Sequence, residues 1–287
     1  MAVDVTCVPF YGKRCDIQRI RKGADVTSSA FRGALAALTA AATPRKRLRL
    51  PVKAGIEFLG NGQYLRVMTP EALLRTTCTR EAVPFVGEIT LLVASQPTGL
   101  WDIWSASERD APPFWVFPWA GGQALARYVL DNPRTVRGRY VFDVASGSGL
   151  VAIAAAKAGA ASVVAGDIDP GAVAAIRANA EANGVTVTAR AFDLMTDDPV
   201  QADVVLAGDV FYQRELASAA LAFLRRAAGH GAEVLAADPG RAFVPAAFLS
   251  PLARYQVPVS TTIEDKPVKD VTVYRLAREL APEAEST

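Results

Sequence analysis

Four aspartates stand where apolar runs end: Asp143 in "YVFDVA", Asp167 in "VVAGDI", Asp193 in "ARAFDL" and Asp209 in "VVLAGDVFY". Acids at the ends of successive strands make a negative rim, which favours a cationic cofactor and a cationic substrate. Between the first two lies Gly147–Ser148–Gly149–Leu150–Val151–Ala152, which fits the pattern G-x-G-x-x-G/A, and Asp167 follows 18 residues beyond Gly149, close to where a ribose-binding acid stands. Taken alone, that turn suits a nicotinamide or flavin dinucleotide. Asp143, four residues before Gly147, argues against it, because a carboxylate sits poorly beside a pyrophosphate and well beside a positively charged ligand. Tyr212 follows Asp209 by three residues in "DVFY".

Other chemistries lack residues. The chain has a single histidine, His230, and three cysteines, Cys7, Cys15 and Cys78, at no metal-ligand spacing. A Cys/His metal site and histidine acid/base catalysis are therefore not expected. Sparse, odd-numbered cysteines suit a reducing compartment, and the expected location is cytoplasmic. No run of about 18 apolar residues is present, so no membrane span is expected, and the start lacks the pattern of a signal peptide.

These side chains need a scaffold that brings strand ends together. From residue 139 the pattern alternates, with strands at 140–145, 162–168, 186–192, 202–208 and 232–237 and helices at 150–158, 170–183 and 214–228. Such alternation builds a parallel sheet covered on both faces. "RYQVPVS" and "VTVYRL", joined by a short charged loop, are expected to close the sheet as an antiparallel pair. Upstream, a helix starts near Gly122 and stops at Asn132–Pro133. Residues 71–80 read as a short helix, and 88–94 with 100–106 as a small hairpin. Residues 1–53 hold eleven basic and three acidic residues, a net +8, against 20 basic and 26 acidic in the remainder, a net −6. The expectation is a basic, poorly ordered extension over residues 1–70, then the folded domain over 71–287. The fold class is α/β: a Rossmann-like seven-stranded sheet ending in an antiparallel hairpin, with helices on both faces and a small N-terminal β-hairpin extension.

At this point several blocks carry a family resemblance. "DVASGSG" resembles motif I of class I S-adenosylmethionine-dependent methyltransferases, and "AGDIDP" resembles their second-strand acid. "PPFWVFPWAGGQALARYVLDNP", "SGSGLVAIAAAKAGA", "DIDPGAVAAIRANAEANGV", "LAGDVFY" and "ADPGR", in that order between about residues 73 and 276, closely resemble the lysine methyltransferases of the electron transfer flavoprotein β subunit. The ribosomal protein L11 methyltransferases share the middle blocks and are the alternative. A nicotinamide-dependent oxidoreductase is disfavoured by Asp143, and nucleic acid binding through the basic arm is disfavoured by the intact acids.

The resemblance implies S-adenosyl-L-methionine as cofactor and a protein substrate, the flavoprotein β subunit, with no metal and no membrane. It implies that the backbone of Ala145–Gly149, including Ser146, Gly147 and Gly149, packs against the methionine moiety, whose amino group Asp143 orients directly or through water. Asp167 would accept from the ribose hydroxyls, although Asp169 either does this or caps the next helix before Pro170. Asp193 would meet the adenine amino group, while Trp119 and Gln123 border the cofactor. Asp209 and Tyr212 match the D-x-x-Y motif and would orient the lysine and wall its channel. Arg241 would touch an acidic patch of the substrate or pair with Asp238, and His230 would end a helix. Ala145 stands where the motif has a glycine, which is tolerable if its φ is negative.

Overall fold

The computed structural model describes residues 5–10, 13–20, 55–58, 65–68, 74–75, 77–94, 113–261 and 264–277. The chain divides into two compact units, Met1–Thr77 with Gln96–Pro113, and Cys78–Ser95 with Phe114–Thr287. In the first, β1 (Val5–Phe10) pairs antiparallel with β2 (Lys13–Ile20), and β3 (Gly55–Phe58) with β4 (Leu65–Met68).

The second unit opens with a hairpin, β5 (Cys78–Val83) and β6 (Val86–Ala94). A hairpin is thus present, and β5, which the sequence pattern did not mark, is one of its strands. The apolar strand over 88–94 pairs with the residues before it, and the expected strand over 100–106 lies outside the described residues. The expected helix over 71–80 is cut short, since Cys78 already belongs to β5.

The main sheet has seven strands: β7 (Tyr140–Val144), β8 (Ser162–Asp167), β9 (Thr188–Ala191), β10 (Val204–Gly208), β11 (Glu233–Asp238), β12 (Leu249–Pro258) and β13 (Val268–Leu276). Their order is β12-β13-β11-β10-β7-β8-β9, parallel except for β13, which runs antiparallel to β11 and β12. The helices are α1 (Ala120–Asp131), α2 (Leu150–Lys157), α3 (Pro170–Ala182) and α4 (Arg214–Gly229).

Period-two alternation assigns the strand residues to two cores. Val141, Val204, Leu206, Leu235 and Ala237 pack with Leu125, Val129, Val151, Ala155 and Ile176 of α1, α2 and α3. Phe142, Val144, Val205, Ala207, Val234 and Ala236 pack with Ala220, Phe223, Leu224 and Ala227 of α4. Phe192 meets Phe142 and Phe223 edge-on in this second core, with Phe142 and Phe192 centroids 4.9 Å apart. Strand order reverses between β7 and β10, the place where open α/β sheets bind ligands beyond their carboxyl ends.

Buried amides attach the hairpin to the sheet domain. Asn179 and Asn183, one turn apart on α3, act on β6 as a strand would. Asn179 Oδ1 accepts from Leu92 N at 2.8 Å, and Asn183 Oδ1 accepts from Thr90 N at 3.0 Å while its Nδ2 donates to Thr90 O at 2.6 Å. From α1, Gln123 Oε1 accepts from Phe85 N at 3.1 Å.

Candidate active site

The site is assembled where β7, β8, β10 and β11 end. Asp143, one residue before the end of β7, is 1% exposed. Its Oδ2 accepts from the Ser146 hydroxyl at 2.5 Å and from Ala152 N at 3.0 Å. Burial pushes its carboxyl up to about 7; the Ser146 and Ala152 bonds oppose that rise, and the charge of Asp167 adds to it. The carboxylate therefore lies beneath the glycine turn, where a cation would repay its desolvation.

The turn is left-handed at three of its residues. Gly147 has φ +55° and Gly149 φ +84°, and a side chain at Gly149 would press on Ile176 of α3, 3.2 Å from its Cα. Ala145 has φ +51°, so the negative φ under which its methyl group would be tolerated without strain is not met. The methyl group is carried in a conformation that costs a non-glycine residue roughly 1 kcal/mol or more.

Asp167 ends β8 and ties the second strand to the turn. Its Oδ2 accepts from Gly147 N at 2.8 Å and its Oδ1 from Asp169 N at 2.9 Å. Burial pushes its carboxyl up to about 6, against the pull of those N–H groups. Asp169 caps α3: Oδ1 accepts from Gly171 N at 2.7 Å, and Oδ2 accepts from the Trp115 indole N–H at 3.0 Å. Trp115 lies so close over Gly171 that a Cβ there would be 2.6 Å from the ring. Both acids open to the ribose role thus have each oxygen engaged, Asp167 by the backbone of Gly147 and Asp169, and Asp169 in capping α3 and holding Trp115.

Asp193 stands apart. Two residues beyond β9, it closes its own turn, with Oδ1 accepting from Met195 N at 2.9 Å. Sequence reasoning missed two neighbours of these acids. Ile168 and Met195 are 67% and 58% exposed, large apolar side chains directly beside Asp167 and near Asp193. An apolar residue between two acids, as in "DID", was the available signal, since it has no core to enter there.

Asp209 follows β10 and also has a left-handed backbone, φ +57°. Its Oδ2 accepts from Gly122 N at 2.7 Å, a cap for α1, whose own N-cap residue Trp119 provides none. The approach requires glycines: a Cβ on Gly121 would lie 2.7 Å from Asp209 Oδ2 and from Ala237 O, and one on Gly208 would lie 3.0 Å from Gly122 Cα. Asp209 Oδ1 accepts from Arg241 Nη1 at 2.6 Å, and the same nitrogen reaches Asp238 Oδ2 at 3.1 Å. Asp238, fully buried at the end of β11, also accepts from the backbone N–H groups of Gly240 and Arg241. The pairing of Arg241 with Asp238 was legible in the sequence; its bond to Asp209 was not.

An aromatic wall stands beside this carboxylate. Phe114 meets Trp119 and Tyr212 edge-on, at 5.7 and 5.6 Å, and the Trp119 indole N–H donates to Phe114 O at 2.7 Å. Tyr212 is 40% exposed, and partial burial with the Asp167 charge raises its phenol above the usual range. Trp119 and Tyr212 are thus joined through Phe114. Gln123 turns toward the hairpin and Pro118 O. His230 is the C-cap of α4, as expected. Among the described residues no His/Cys/Asp/Glu group is arranged to hold a metal, and no helix is long and apolar enough to cross a membrane.

A parallel sheet closed by an antiparallel pair, with a glycine turn after β7 and acids at adjacent strand ends, defines a class I methyltransferase domain. The family model described as ribosomal protein L11 methyltransferase (PrmA) matches residues 124–211. The electron transfer flavoprotein beta subunit lysine methyltransferase of Xenopus laevis is 38% identical over 201 residues, covering 67% of this chain and 80% of the relative. The human protein of that name is 35% identical, covering 63% of this chain and 70% of its own. Among solved structures, the ribosomal protein L11 methylase of Lactobacillus delbrueckii subsp. bulgaricus is similar at 20% identity and a TM-score of 0.38, over 54% of this chain and 77% of that one. The chain belongs to the electron transfer flavoprotein β-subunit lysine methyltransferase family.

Proposed function

We propose that this methyltransferase uses S-adenosyl-L-methionine to methylate lysine side chains of an electron transfer flavoprotein β subunit, in the cytoplasm. The observation that carries the reading is the trio Asp143, Asp167 and Asp209 at the ends of β7, β8 and β10, on both sides of the point where strand order reverses. Three carboxylates in a row suit a cofactor and a substrate that both arrive positively charged.

The residues fit the cofactor. The buried Asp143 carboxylate, held by Ser146, matches an ammonium group, and Asp167 matches a pair of vicinal hydroxyls. The exposed faces of Ile168 and Met195 offer an apolar slot for a flat base, with Asp193 at its edge. When bound, the cofactor supplies an electrophilic methyl group on a sulfonium. Asp209 orients the lysine nitrogen through its carboxylate, and Tyr212, Phe114 and Trp119 line the approach and exclude water. Positioning of a neutral amine, rather than acid/base machinery, is the main demand.

The test is transfer of a methyl group to purified electron transfer flavoprotein β subunit, read by mass spectrometry, with ribosomal protein L11 as the comparison substrate. Methylation of the flavoprotein subunit alone supports the reading. Methylation of L11 alone overturns it in favour of the ribosomal one.

A further inference from the structure

We propose that Arg241 is a resident counter-ion in the substrate-amine seat of Asp209: it holds the carboxylate while the seat is empty, retreats onto Asp238 when a lysine ammonium arrives, and so sets the affinity for lysine. The inference rests on the lysine methyltransferase reading.

Burial comes first. The Asp209 side chain is 12% exposed and that of Asp238 fully buried, so neither is cheaply left without a cation. Two carboxylates and one guanidinium leave the cluster with one negative charge, which a single substrate ammonium would cancel.

Geometry says which partner moves. Asp209 is fixed by its left-handed backbone and by the Gly122 N–H on Oδ2, so it cannot swing toward a substrate. Arg241 Nη1 is shared, 2.6 Å from Asp209 and 3.1 Å from Asp238. Its backbone N–H also lies on Asp238, at 2.7 Å. Breaking the Asp209 contact therefore leaves Arg241 anchored to a second buried acid. The Arg241 side chain, 23% exposed, is the most accessible of the three. One cation replaces another, and no bare charge is buried at either stage.

A seat already occupied weakens the incoming ligand by the fraction of time it is vacant. Arg241→Gln is therefore expected to lower KM for the flavoprotein subunit about tenfold, with S-adenosylhomocysteine affinity unchanged. Arg241→Lys, which keeps a cation but a shorter reach, is expected to fall between. A merely structural arginine would raise KM or lower kcat instead. If either variant binds S-adenosylhomocysteine normally and its KM is unchanged or raised, the inference is overturned. Should Arg241→Gln fail to bind S-adenosylhomocysteine, Arg241→Lys decides on the same criterion. A wild type that transfers no methyl overturns the lysine reading and this inference together; a competent wild type whose variants keep their KM overturns this inference alone.

Discussion

Two side chains carry most of the site's latent cost. Ala145 adopts φ +51° at the mouth of the glycine turn. Ala145→Gly removes that strain while adding some freedom to the unfolded chain, so the expected net change is zero to about 1 kcal/mol of stabilisation, where Ala→Gly ordinarily destabilises. Thermal unfolding of the two proteins checks it, and a clear loss of Tm would refute the strained conformation. Asp143 is the second. Its carboxyl titrates near 7 in the folded protein and near 3.8 in the unfolded chain. Between those values the native state binds more protons, so this contribution to stability falls as pH rises through about 7. Asp143→Asn is expected to raise the Tm of the cofactor-free protein at pH 8 more than at pH 5, and to weaken S-adenosylhomocysteine binding. Because the ligand's ammonium needs the ionised form of Asp143, wild-type affinity should drop as pH is lowered from about 8 to 6, by up to about tenfold per pH step below the folded value of about 7. Affinity that is flat across that window would contradict the pairing.

At the scale of elements, the helices and parallel strands were legible because each has a period: α4 places Ala220, Phe223 and Leu224 on one stripe, and β10 alternates between two cores. Strand β5 was not legible in the sequence, for a physical reason. In β5 only Val83 is buried, so its sequence, "CTREAV", has no apolar alternation to detect. What holds the hairpin is equally invisible to periodicity, since Asn179 and Asn183 are polar residues on an otherwise apolar face of α3. Asn179 is fully buried, accepting from Leu92 N and donating to Ser148 O in the glycine turn. Asn179→Ala leaves both backbone groups without that partner, at about 1–3 kcal/mol each. The expected result is a loss of stability of about that size, together with weaker cofactor binding because Ser148 loses its anchor. Denaturant unfolding and calorimetry measure the two effects, and an unaltered affinity would separate the hairpin from the turn.

For the molecule as a whole, the point of strand reversal gathers acids that are far apart in sequence. The four strand-end aspartates were legible from the sequence, as ends of apolar runs. The long-range bonds among their neighbours were not: the cap from Asp209 to Gly122 spans 87 residues, and no local pattern encodes it. Nor does composition decide between a dinucleotide and a nucleoside ligand; the buried Asp143 carboxylate is the residue on which the proposed choice rests. Calorimetric titration with S-adenosylhomocysteine and, separately, with NAD is expected to show micromolar binding of the first only. Binding of NAD alone would overturn the cofactor assignment.

The Gly122 amide has a consequence of its own. Its nitrogen lies 2.7 Å from Oδ2 of Asp209, the carboxylate proposed to receive the substrate amine, so the amide registers the charge and position of that group from inside the protein. In a nitrogen-edited spectrum this one glycine resonance is expected downfield, and on the proposed exchange it is expected to shift when a lysine displaces the guanidinium. The helix cap is thereby a spectroscopic meter of seat occupancy, readable without turnover and without a label on the substrate.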